Sequence, residues 1–409
     1  MGSSDLLVIL RVLPYPPVYG SRMRTWSLLR ALAENGYRMR LLALGTEDEL
    51  DAHRSMISAV CPQSEVVPHY SPSISTRRDY FRRLTSLVSP LPYGVDRFSS
   101  ASMRKRIAAR LRENAYSAVL CDSPYLVTNL PDSLSVPVII TTQNVEHMLL
   151  YRYWTLEKNP LKRTYAWLEW LKFRRWECSV CSRASMLLVC SEVDRSSVME
   201  LCPGIPVVVL PNTIEVDRYE IAATDTPGRI LYFGEMDWHP NRDAVEFFVT
   251  KILPYLRGQV PEVRFAIAGR GPTEEYRRRF ARFPDVEVIG EVPDIRSEIA
   301  KAALCVVPLR IGSGTRLKIL EAAAMGKAVV STRLGAEGLE FTDGVEIVLA
   351  DSPESFAQAV ADLLGNPVRR HELGKAARRR VERQYSFAAL RVAMNAAFAE
   401  LCSKRRDTT

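Results

Sequence analysis

The chain has 409 residues, 47% of them hydrophobic and 25% charged, which is typical of a soluble globular protein with two or three domains. No apolar run approaches the roughly 18 residues of a membrane span, and no secretory signal precedes the first strand-like segment. Eight scattered cysteines indicate reduced thiols rather than a disulfide framework. We therefore expect a cytoplasmic protein, in which the CxxC spacing of Cys178 and Cys181 favours buried thiols over a zinc site.

The net charge of +8 is unevenly distributed, because residues 1–210 hold 26 Lys and Arg against 19 Asp and Glu. Ten of these cations fall within residues 77–112, where only Asp79 and Asp96 oppose them. Such a local excess of positive charge attracts anionic surfaces. A helix face that is simply exposed to solvent would account for the same cluster of cations equally well. No nucleic-acid recognition module accompanies the cations. The hypothesis they support is peripheral contact with an anionic membrane at the inner membrane face, without nucleic-acid binding.

Short runs rich in Val, Ile and Leu alternate with helix-length segments along the whole chain. Strands separated by helices predict parallel, doubly wound sheets, and continuous apolar strands predict helices on both faces of each sheet. Strands are predicted at 6–12, 38–44, 117–122, 136–142, 185–191 and 206–212 in the first half, and at 229–235, 263–269, 286–292, 304–309, 327–332 and 345–350 in the second.

Two such sheets predict an α/β protein with two Rossmann-like domains that face each other across a cleft. The polar stretch 222–228 follows the first set of strands, so we place the domains at 1–212 and 213–385. A terminal helix over 386–409 is expected to cross back onto the first domain. Ligands bind doubly wound domains at the carboxyl ends of their strands, and the functional site is therefore expected in the loops that follow strands.

A glycine-rich turn between a strand and a helix, GSGTRLKILEA at 312–322, carries the strongest functional pattern. Glycines let the backbone approach a ligand closely, and the helix predicted from near Thr315 adds its positive end. Arg316 and Lys318 add two full charges, which together suit a diphosphate. Glu321, one helical turn further on, can accept hydrogen bonds from the two hydroxyls of a ribose. The pattern predicts a nucleoside-diphosphate site formed by Gly312, Ser313, Gly314, Thr315, Arg316, Lys318 and Glu321.

This stretch resembles the donor-site signature of retaining glycosyltransferases with the GT-B fold, specifically the large family 4. Other stretches that resemble the family cover nearly the whole chain: PYPPVYGSRMRTWSLLRALAENGY (14–37), PNTIEVDRY (211–219), LYFGEMDWHPNRDAVEFF (231–248), IAGRGP (267–272), GKAVVST (326–332) and GAEGL (335–339). The resemblance implies transfer of a sugar from a nucleoside-diphosphate sugar, most simply a UDP- or GDP-sugar, to a hydroxyl acceptor. It implies no metal and no other cofactor, and it assigns the acceptor to the N-terminal domain and the donor to the C-terminal one.

The resemblance also implies roles for single residues. Arg316 and Lys318 match the diphosphate-binding cations of the family, and Glu321 matches the ribose-binding second glutamate of its E-x7-E motif. Catalysis is expected to be electrostatic, since both cations can stabilise the departing diphosphate while its oxygen takes the acceptor's proton. The remaining donor-site matches are Gly20 in the first glycine loop, Gly234 in the second, and Arg270 and Val292 beside the nucleotide base.

Ser313 and Gln143 depart from the family pattern. Ser313 stands where the first glutamate of the E-x7-E motif is expected, so backbone amides of 312–315 would take over its contact with the donor sugar. TTQNVEH (141–147) resembles a family stretch that reads His-Asn-Val-Glu, in which Gln143 replaces the histidine and Asn144 is retained. Gln143 keeps a hydrogen-bonding role in catalysis but cannot carry a charge. These departures leave open a non-catalytic scaffold that binds sugar nucleotides, and the fold leaves open a sugar-nucleotide epimerase.

The expected acceptor is a hydroxyl group on a glycan, a lipid-linked or cell-envelope molecule, or a small-molecule natural product. Asp122, at the end of a strand, is a candidate acceptor-side residue, although a helix cap accounts for it as well. The segment 151–177 mixes Trp and Tyr with Lys and Arg, which suits a membrane interface. A core-packed helix with charged edges explains the same composition.

Overall fold

A computed structural model describes residues 5–18, 20–69, 83, 85–221, 225–271 and 273–406. The chain divides into two compact units, one formed by Met1–Pro211 with Leu390–Thr409 and the other by Asn212–Ala389. Part of the predicted boundary stretch, residues 222–224, lies outside the described residues. Each unit is a parallel α/β domain of the Rossmann kind, as the sequence predicts.

The first unit contains a parallel sheet whose strands lie in the order β3-β2-β1-β4-β5-β6-β7. All six strands predicted for this half are present, and β3 is an addition that the sequence analysis missed. Its segment QSEVVP buries only Val66 and Val67 and lies at the sheet edge, so its apolar signal is short. The strands are β1 Asp5–Leu10, β2 Arg38–Gly45, β3 Gln63–Pro68, β4 Ala118–Cys121, β5 Val138–Thr141, β6 Met186–Val189 and β7 Val207–Val209.

Helices cover the sheet of the first unit because its strands are apolar on both faces. The helices are α1 Gly20–Glu34, α2 Glu47–Val60, α3 Ala101–Glu113, α4 Glu146–Leu156, α5 Pro160–Cys181, α6 Glu192–Leu201 and the terminal α14 Phe387–Arg406. In β1, Leu7 and Ile9 join a core with residues of α3, α5 and α6, while Leu6 and Val8 are buried on the opposite face. Helix starts carry the expected caps, such as the Thr46 capping box.

The second unit has a parallel sheet in the order β10-β9-β8-β11-β12-β13. Its strands are β8 Arg229–Phe233, β9 Arg264–Ala268, β10 Val286–Gly290, β11 Leu304–Val307, β12 Ala328–Ser331 and β13 Val348–Leu349. All six were predicted, and each is two to four residues shorter than the sequence indicates. The helices are α7 His239–Phe247, α8 Leu253–Arg257, α9 Glu274–Ala281, α10 Ile295–Lys301, α11 Leu317–Ala324, α12 Pro353–Gly365 and α13 Pro367–Gln384.

Both sheets reverse their strand order at one point, between β1 and β4 in the first unit and between β8 and β11 in the second. The loops that leave neighbouring strands in opposite directions open a crevice at such a switch point, which is where doubly wound domains bind ligands. In the second unit the flanking loops begin at Gly234 and Pro308. The topology therefore places the predicted diphosphate turn at the switch point of its own sheet.

The basic region 77–112 is described only in part, because residues 77–82 and 84 lie outside the described residues. On α3, two of its cations share one carboxylate, because Arg106 and Arg110 both pair with Glu65 of β3. No helix among the described residues is long and apolar enough to cross a membrane. Cys178 and Cys181 lie on the last turn of α5, and the described residues contain no group of three or more His, Cys, Asp or Glu arranged to hold a metal ion.

Candidate active site

The glycine turn after β11 is closed by the side chain of Arg316. The Arg316 Nη1 atom donates to the carbonyl oxygen of Ser313 at 2.5 Å and to that of Gly314. Gly312 has a φ of 155°, and a Cβ atom there would overlap the Arg316 guanidinium. Helix α11 begins at Leu317 rather than near Thr315, because Arg316 is still extended at the N-cap. Residues 312–315 therefore form a buried turn that the guanidinium braces from one side.

Lys318 is held by two side chains that the sequence analysis did not select. Its Nζ atom donates to the Tyr232 hydroxyl at 2.9 Å and to Asn241 Oδ1 at 3.0 Å, and it lies 4.1 Å from the centre of the Tyr232 ring. The Tyr232 hydroxyl in turn donates to Asn241 Oδ1 at 2.7 Å. Burial, together with the smaller effect of the nearby Arg316, lowers the pKa of Lys318 to about 7, and Glu321 opposes the shift. The ammonium is thus fixed in place and easily deprotonated.

Glu321 lies three residues after Lys318 on α11, and its partner is also a tyrosine. The Tyr219 hydroxyl donates to Glu321 Oε1 at 3.1 Å. Burial raises the pKa of Glu321 to about 7, against the smaller lowering effects of Tyr219 and Lys318. The carboxyl group therefore changes charge near neutral pH, and it keeps one oxygen fixed by Tyr219 when it accepts other hydrogen bonds.

The start of α11 is also fixed by a residue from the beginning of the second unit. Asn212 Nδ2 donates to Thr315 Oγ1 at 2.7 Å, and both side chains are buried. Ser313, which replaces the expected glutamate, is buried in the same turn, so no carboxylate stands at this position. Tyr219, Tyr232, Asn212 and Asn241 are the supporting residues that the sequence analysis missed. The sequence does carry a signal for Tyr232. It lies in the otherwise apolar strand RILYF, and the hydroxyl of a buried tyrosine needs a hydrogen-bond partner.

Glycines join the loops after β8 and β9 to the end of β10. Gly234 N donates to Ala268 O at 3.0 Å and Gly269 N donates to Gly290 O at 2.7 Å. A Cβ atom on Gly269 would overlap the Gly234 carbonyl oxygen, so only glycine permits this approach. The loops therefore form one rim along the carboxyl edge of the sheet.

The two residues predicted to flank the nucleotide base belong to this edge. Arg270 follows Gly269 and pairs with Glu235 at 3.2 Å, with half of its side chain exposed. Val292 follows the end of β10 and is half-buried. The structure thus brings Gly234, Arg270 and Val292 to the same sheet edge as the diphosphate turn.

The remaining predicted site residues belong to the first unit. Gly20 is exposed and begins α1, while Gln143 and Asn144 follow β5. Gln143 Nε2 donates to the carbonyl oxygen of Ser21 at 3.4 Å. The loop after β5 is therefore joined to the first turn of α1, which brings Gly20 and Gln143 together.

A buried acidic group lies at the switch point of the first sheet. Asp122, which directly follows β4, accepts a hydrogen bond from Arg11 N at 3.2 Å, and burial raises its pKa to about 6. Burial likewise raises the pKa of Glu146 to about 7, with Glu177 adding to the effect. Glu177 accepts from the backbone N atoms of Glu146 and His147 at 3.0 Å each, which anchors the start of α4. Asp122 thus supports the loop after β1 rather than capping a helix.

Protein-family comparison identifies the family to which the chain belongs. Residues 18–218 match the family described as Glycosyltransferase Family 4, and residues 227–366 match Glycosyl transferases group 1. The two matches together span most of the chain; the first covers most of the first unit and reaches seven residues into the second, which holds the whole of the other match. The chain belongs to the group 1 glycosyltransferases of the GT-B fold, and it is therefore a glycosyltransferase enzyme.

Individual relatives resemble this chain over nearly its full length. A Klebsiella pneumoniae protein described as a 44.6 kDa protein in the cps region is 22% identical over 375 residues, covering 89% of this chain and 92% of the relative. Sucrose-phosphate synthase from Thermosynechococcus elongatus superposes with a TM-score of 0.71 and 16% identity, covering 98% of this chain and 100% of that one. Anabaena Alr3699/HepE, solved with UDP and glucose, superposes with a TM-score of 0.65 and 14% identity, covering 97% of this chain and 99% of that one. At these identities the structural likeness establishes the fold alone.

Proposed function

We propose that the protein transfers a sugar from a nucleoside-diphosphate sugar to a hydroxyl acceptor, with retention of anomeric configuration and without a metal. One arrangement carries this proposal. At the switch point of the second sheet, the glycine turn braced by Arg316 leads into α11, which holds Lys318 and Glu321. The complex of Alr3699/HepE with UDP supports a UDP-sugar as the first donor to test, and a GDP-sugar is the second.

The proposed chemistry is electrostatic. As the bond between the sugar and the diphosphate breaks, negative charge grows on the leaving oxygen, and the Lys318 ammonium can stabilise it without reorganising because Tyr232 and Asn241 already hold it. Arg316 keeps the amides of its turn in place beside the same phosphates. These two cations supply the charge that a divalent ion supplies in other sites, and the leaving oxygen can take the acceptor's proton on the same face of the sugar.

Glu321 is proposed to bind the ribose. It lies one turn beyond Lys318, where its second oxygen can accept hydrogen bonds from the paired hydroxyls, and Tyr219 orients it. The proposed acceptor is a glycan, a lipid-linked or cell-envelope molecule, or a small molecule. The proposed location is the cytoplasm, with peripheral contact at the inner membrane face through the basic region 77–112.

A panel of UDP-, GDP-, ADP- and dTDP-sugars tests the donor assignment by thermal shift. A donor at a hundred times its Kd stabilises the protein by about 2.7 kcal/mol, so one base should give a clear increase in Tm. Turnover of that donor is tested separately. Slow hydrolysis of the donor without an acceptor would support an enzyme, and NMR of the released sugar reports retention or inversion of the anomeric configuration.

Hydrolysis that persists in EDTA would support metal independence. Absence of any shift across the panel would contradict the donor site, and binding without turnover under all conditions would indicate a scaffold.

The Gly234→Ala variant tests whether the loop after β8 positions Lys318. An added Cβ atom would lie 2.9 Å from Lys318 Nζ and 3.0 Å from Asn241 Nδ2, at a φ of 153° that only glycine adopts easily. We expect the Lys318 ammonium to be displaced and donor affinity, measured by calorimetry, to fall by about tenfold or more. Gly258→Ala is the matched control, since its Cβ atom would make only an ordinary 3.6 Å contact. Equal donor affinity in the two variants would contradict this role for Gly234.

A further inference from the structure

Exposed apolar side chains are concentrated on one part of the first unit. Among the described residues, seven of the eighteen large hydrophobic side chains with high exposure fall within two short segments, 87–91 and 151–167. The two most exposed of these seven are Val88 at 89% and Leu161 at 82%. Single exposed apolar residues are normal on protein surfaces, but such a concentration marks an interaction site. The seven are Leu87, Val88, Leu91, Tyr151, Leu156, Leu161 and Trp167.

These two segments belong to one surface, because the first is bound to the helix that carries most of the second. Ser86 Oγ donates to Glu169 Oε1 at 3.2 Å, and Tyr93 N donates to Glu169 Oε2 at 2.6 Å. Ser86 Oγ also lies 3.0 Å from the Tyr165 hydroxyl. Leu161 lies one helical turn before Tyr165 on the same face of α5. We name the segments 85–93 and 151–167 together the hairpin surface.

The hairpin surface is rigid, since aromatic stacking locks α4 against α5. The rings of Trp154 and Trp170 stack with centroids 5.8 Å apart and planes 10° apart, and Arg163 lies over Trp154 at 5.8 Å. Leu156 and Leu161 flank the turn between the two helices, where Asn159 caps α5. The turn therefore presents two exposed leucines on a fixed support, which lowers the entropy cost of binding.

The charge of the hairpin surface is strongly one-sided. Residues 151–167 contain four cations and one carboxylate, and that carboxylate, Glu157, already accepts from the Tyr153 hydroxyl at 3.0 Å. Segment 85–93 has no charged residue, and Arg83 precedes it over the ring of Tyr93. Exposed leucines, Trp and Tyr among Lys and Arg match the chemistry of an anionic lipid surface, whose headgroups attract cations and whose boundary accepts apolar side chains. A protein partner is a poorer fit, because interface cores are depleted in lysine.

We propose that the hairpin surface docks this enzyme onto an anionic lipid bilayer, with Val88, Leu156 and Leu161 inserted at the headgroup boundary and the cations on phosphate groups. This refines the membrane contact in the proposed function and moves it away from α3, where Arg106 and Arg110 are paired with Glu65. Membrane docking needs neither donor nor acceptor, so vesicle binding and sugar transfer can be tested independently of each other.

Co-sedimentation of the full chain with vesicles tests the proposal. Wild type should bind vesicles that mix phosphatidylcholine with phosphatidylglycerol, bind phosphatidylcholine alone weakly, and lose binding as salt increases. The double variant Lys162→Glu, Arg163→Glu should lower the partition coefficient on the anionic vesicles by about tenfold or more, because each cation near such a surface contributes about 1 kcal/mol. The double variant Val88→Ser, Leu161→Ser should weaken binding even at low salt.

The matched control carries the same kinds of change in the second unit. Val368 and Lys375 are both exposed on α13, so Val368→Ser with Lys375→Glu removes one apolar side chain and reverses one charge elsewhere. Circular dichroism and donor-induced thermal shifts verify that each variant is folded. Failure of wild type to bind the anionic vesicles, or equal losses in the control and the hairpin variants, would overturn the proposal. A dimer in sedimentation velocity that Val88→Ser, Leu161→Ser converts to monomer would instead identify a second copy as the occupant.

Discussion

Replacing Lys318 with alanine is expected to lower kcat by about a hundred- to a thousandfold, the loss usual when one pre-organised group that stabilises transition-state charge is removed. Tyr232 and Asn241 both position the ammonium, and it carries a full charge next to the glycine turn. The stabilised charge grows as the leaving bond breaks, so kcat falls. Because the ammonium also binds the diphosphate before that step, the KM of the donor should rise as well, and kcat/KM should fall by more than kcat alone. Steady-state kinetics with the donor identified by thermal shift measures both.

The fold should survive this substitution. Tyr232 and Asn241 keep the 2.7 Å hydrogen bond to each other when the ammonium is removed, so no buried polar atom of the pair is stranded. The exposed Lys251 provides the control variant Lys251→Ala, which should behave as wild type. Rate constants for Lys318→Ala within a few fold of wild type, in a protein that unfolds at the same denaturant concentration, would remove Lys318 from the proposed mechanism.

The architecture was predictable because every central strand is apolar on both faces. Segments such as LLVIL and LCVV can be buried only in a sheet covered by helices, and they alternate with helix-length segments. The edge strand β3 shows the limit of this reasoning. Two valines in QSEVVP give too short an apolar run, and the pairing of the segment with β2 supplies the rest of its stability.

The charged residues of the site were also predictable, because they lie close together in the sequence and form a recognisable pattern. Arg316, Lys318 and Glu321 stand within six residues on one helix start, so helical spacing alone relates them. Their supports could not be found this way. Tyr232 and Asn241 reach Lys318 from 86 and 77 residues away, and only the strand order β8-β11 makes them neighbours. The orientation of Arg316 was likewise unpredictable, because it depends on the carbonyl oxygens that the turn exposes.

The second large effect is expected in the pH dependence of donor binding, which should pass through a maximum near pH 7. A diphosphate binds the charged form of Lys318, and in the free protein this form is lost as the pH rises through about 7. Donor affinity should therefore fall by about tenfold per pH unit above that value, or about a hundredfold by pH 9. On the acid side Glu321 becomes protonated below about 7 and accepts hydroxyl hydrogen bonds less strongly, which gives a shallower decline.

Two conservative variants should separate the alkaline and the acid decline of donor affinity, which we call the alkaline limb and the acid limb. Lys318→Arg should remove the alkaline limb, since a guanidinium stays charged throughout this range. Glu321→Gln should remove the acid limb and also move the alkaline limb to lower pH, because the Glu321 charge currently raises the pKa of Lys318. Isothermal titration calorimetry between pH 6 and about 9 measures all three profiles. A wild-type profile without an alkaline decline, or identical profiles for wild type and Lys318→Arg, would contradict the titration of Lys318 in this site.

The donor-free protein should respond to pH in the opposite direction, which distinguishes the titration from general alkaline instability. In the unfolded chain Lys318 has an ordinary pKa of about 10.4, so between that value and about 7 the unfolded state binds more protons than the native state. The contribution of Lys318 to the free energy of unfolding is therefore fully favourable above pH 10.4 and declines as the pH falls towards 7. Urea unfolding without donor should show this slope in wild type and lose it in Lys318→Met, because the methionine cannot titrate. If the alkaline loss of donor affinity came instead from partial unfolding, both measurements would decline together, and the methionine substitution would leave the slope of the unfolding free energy unchanged.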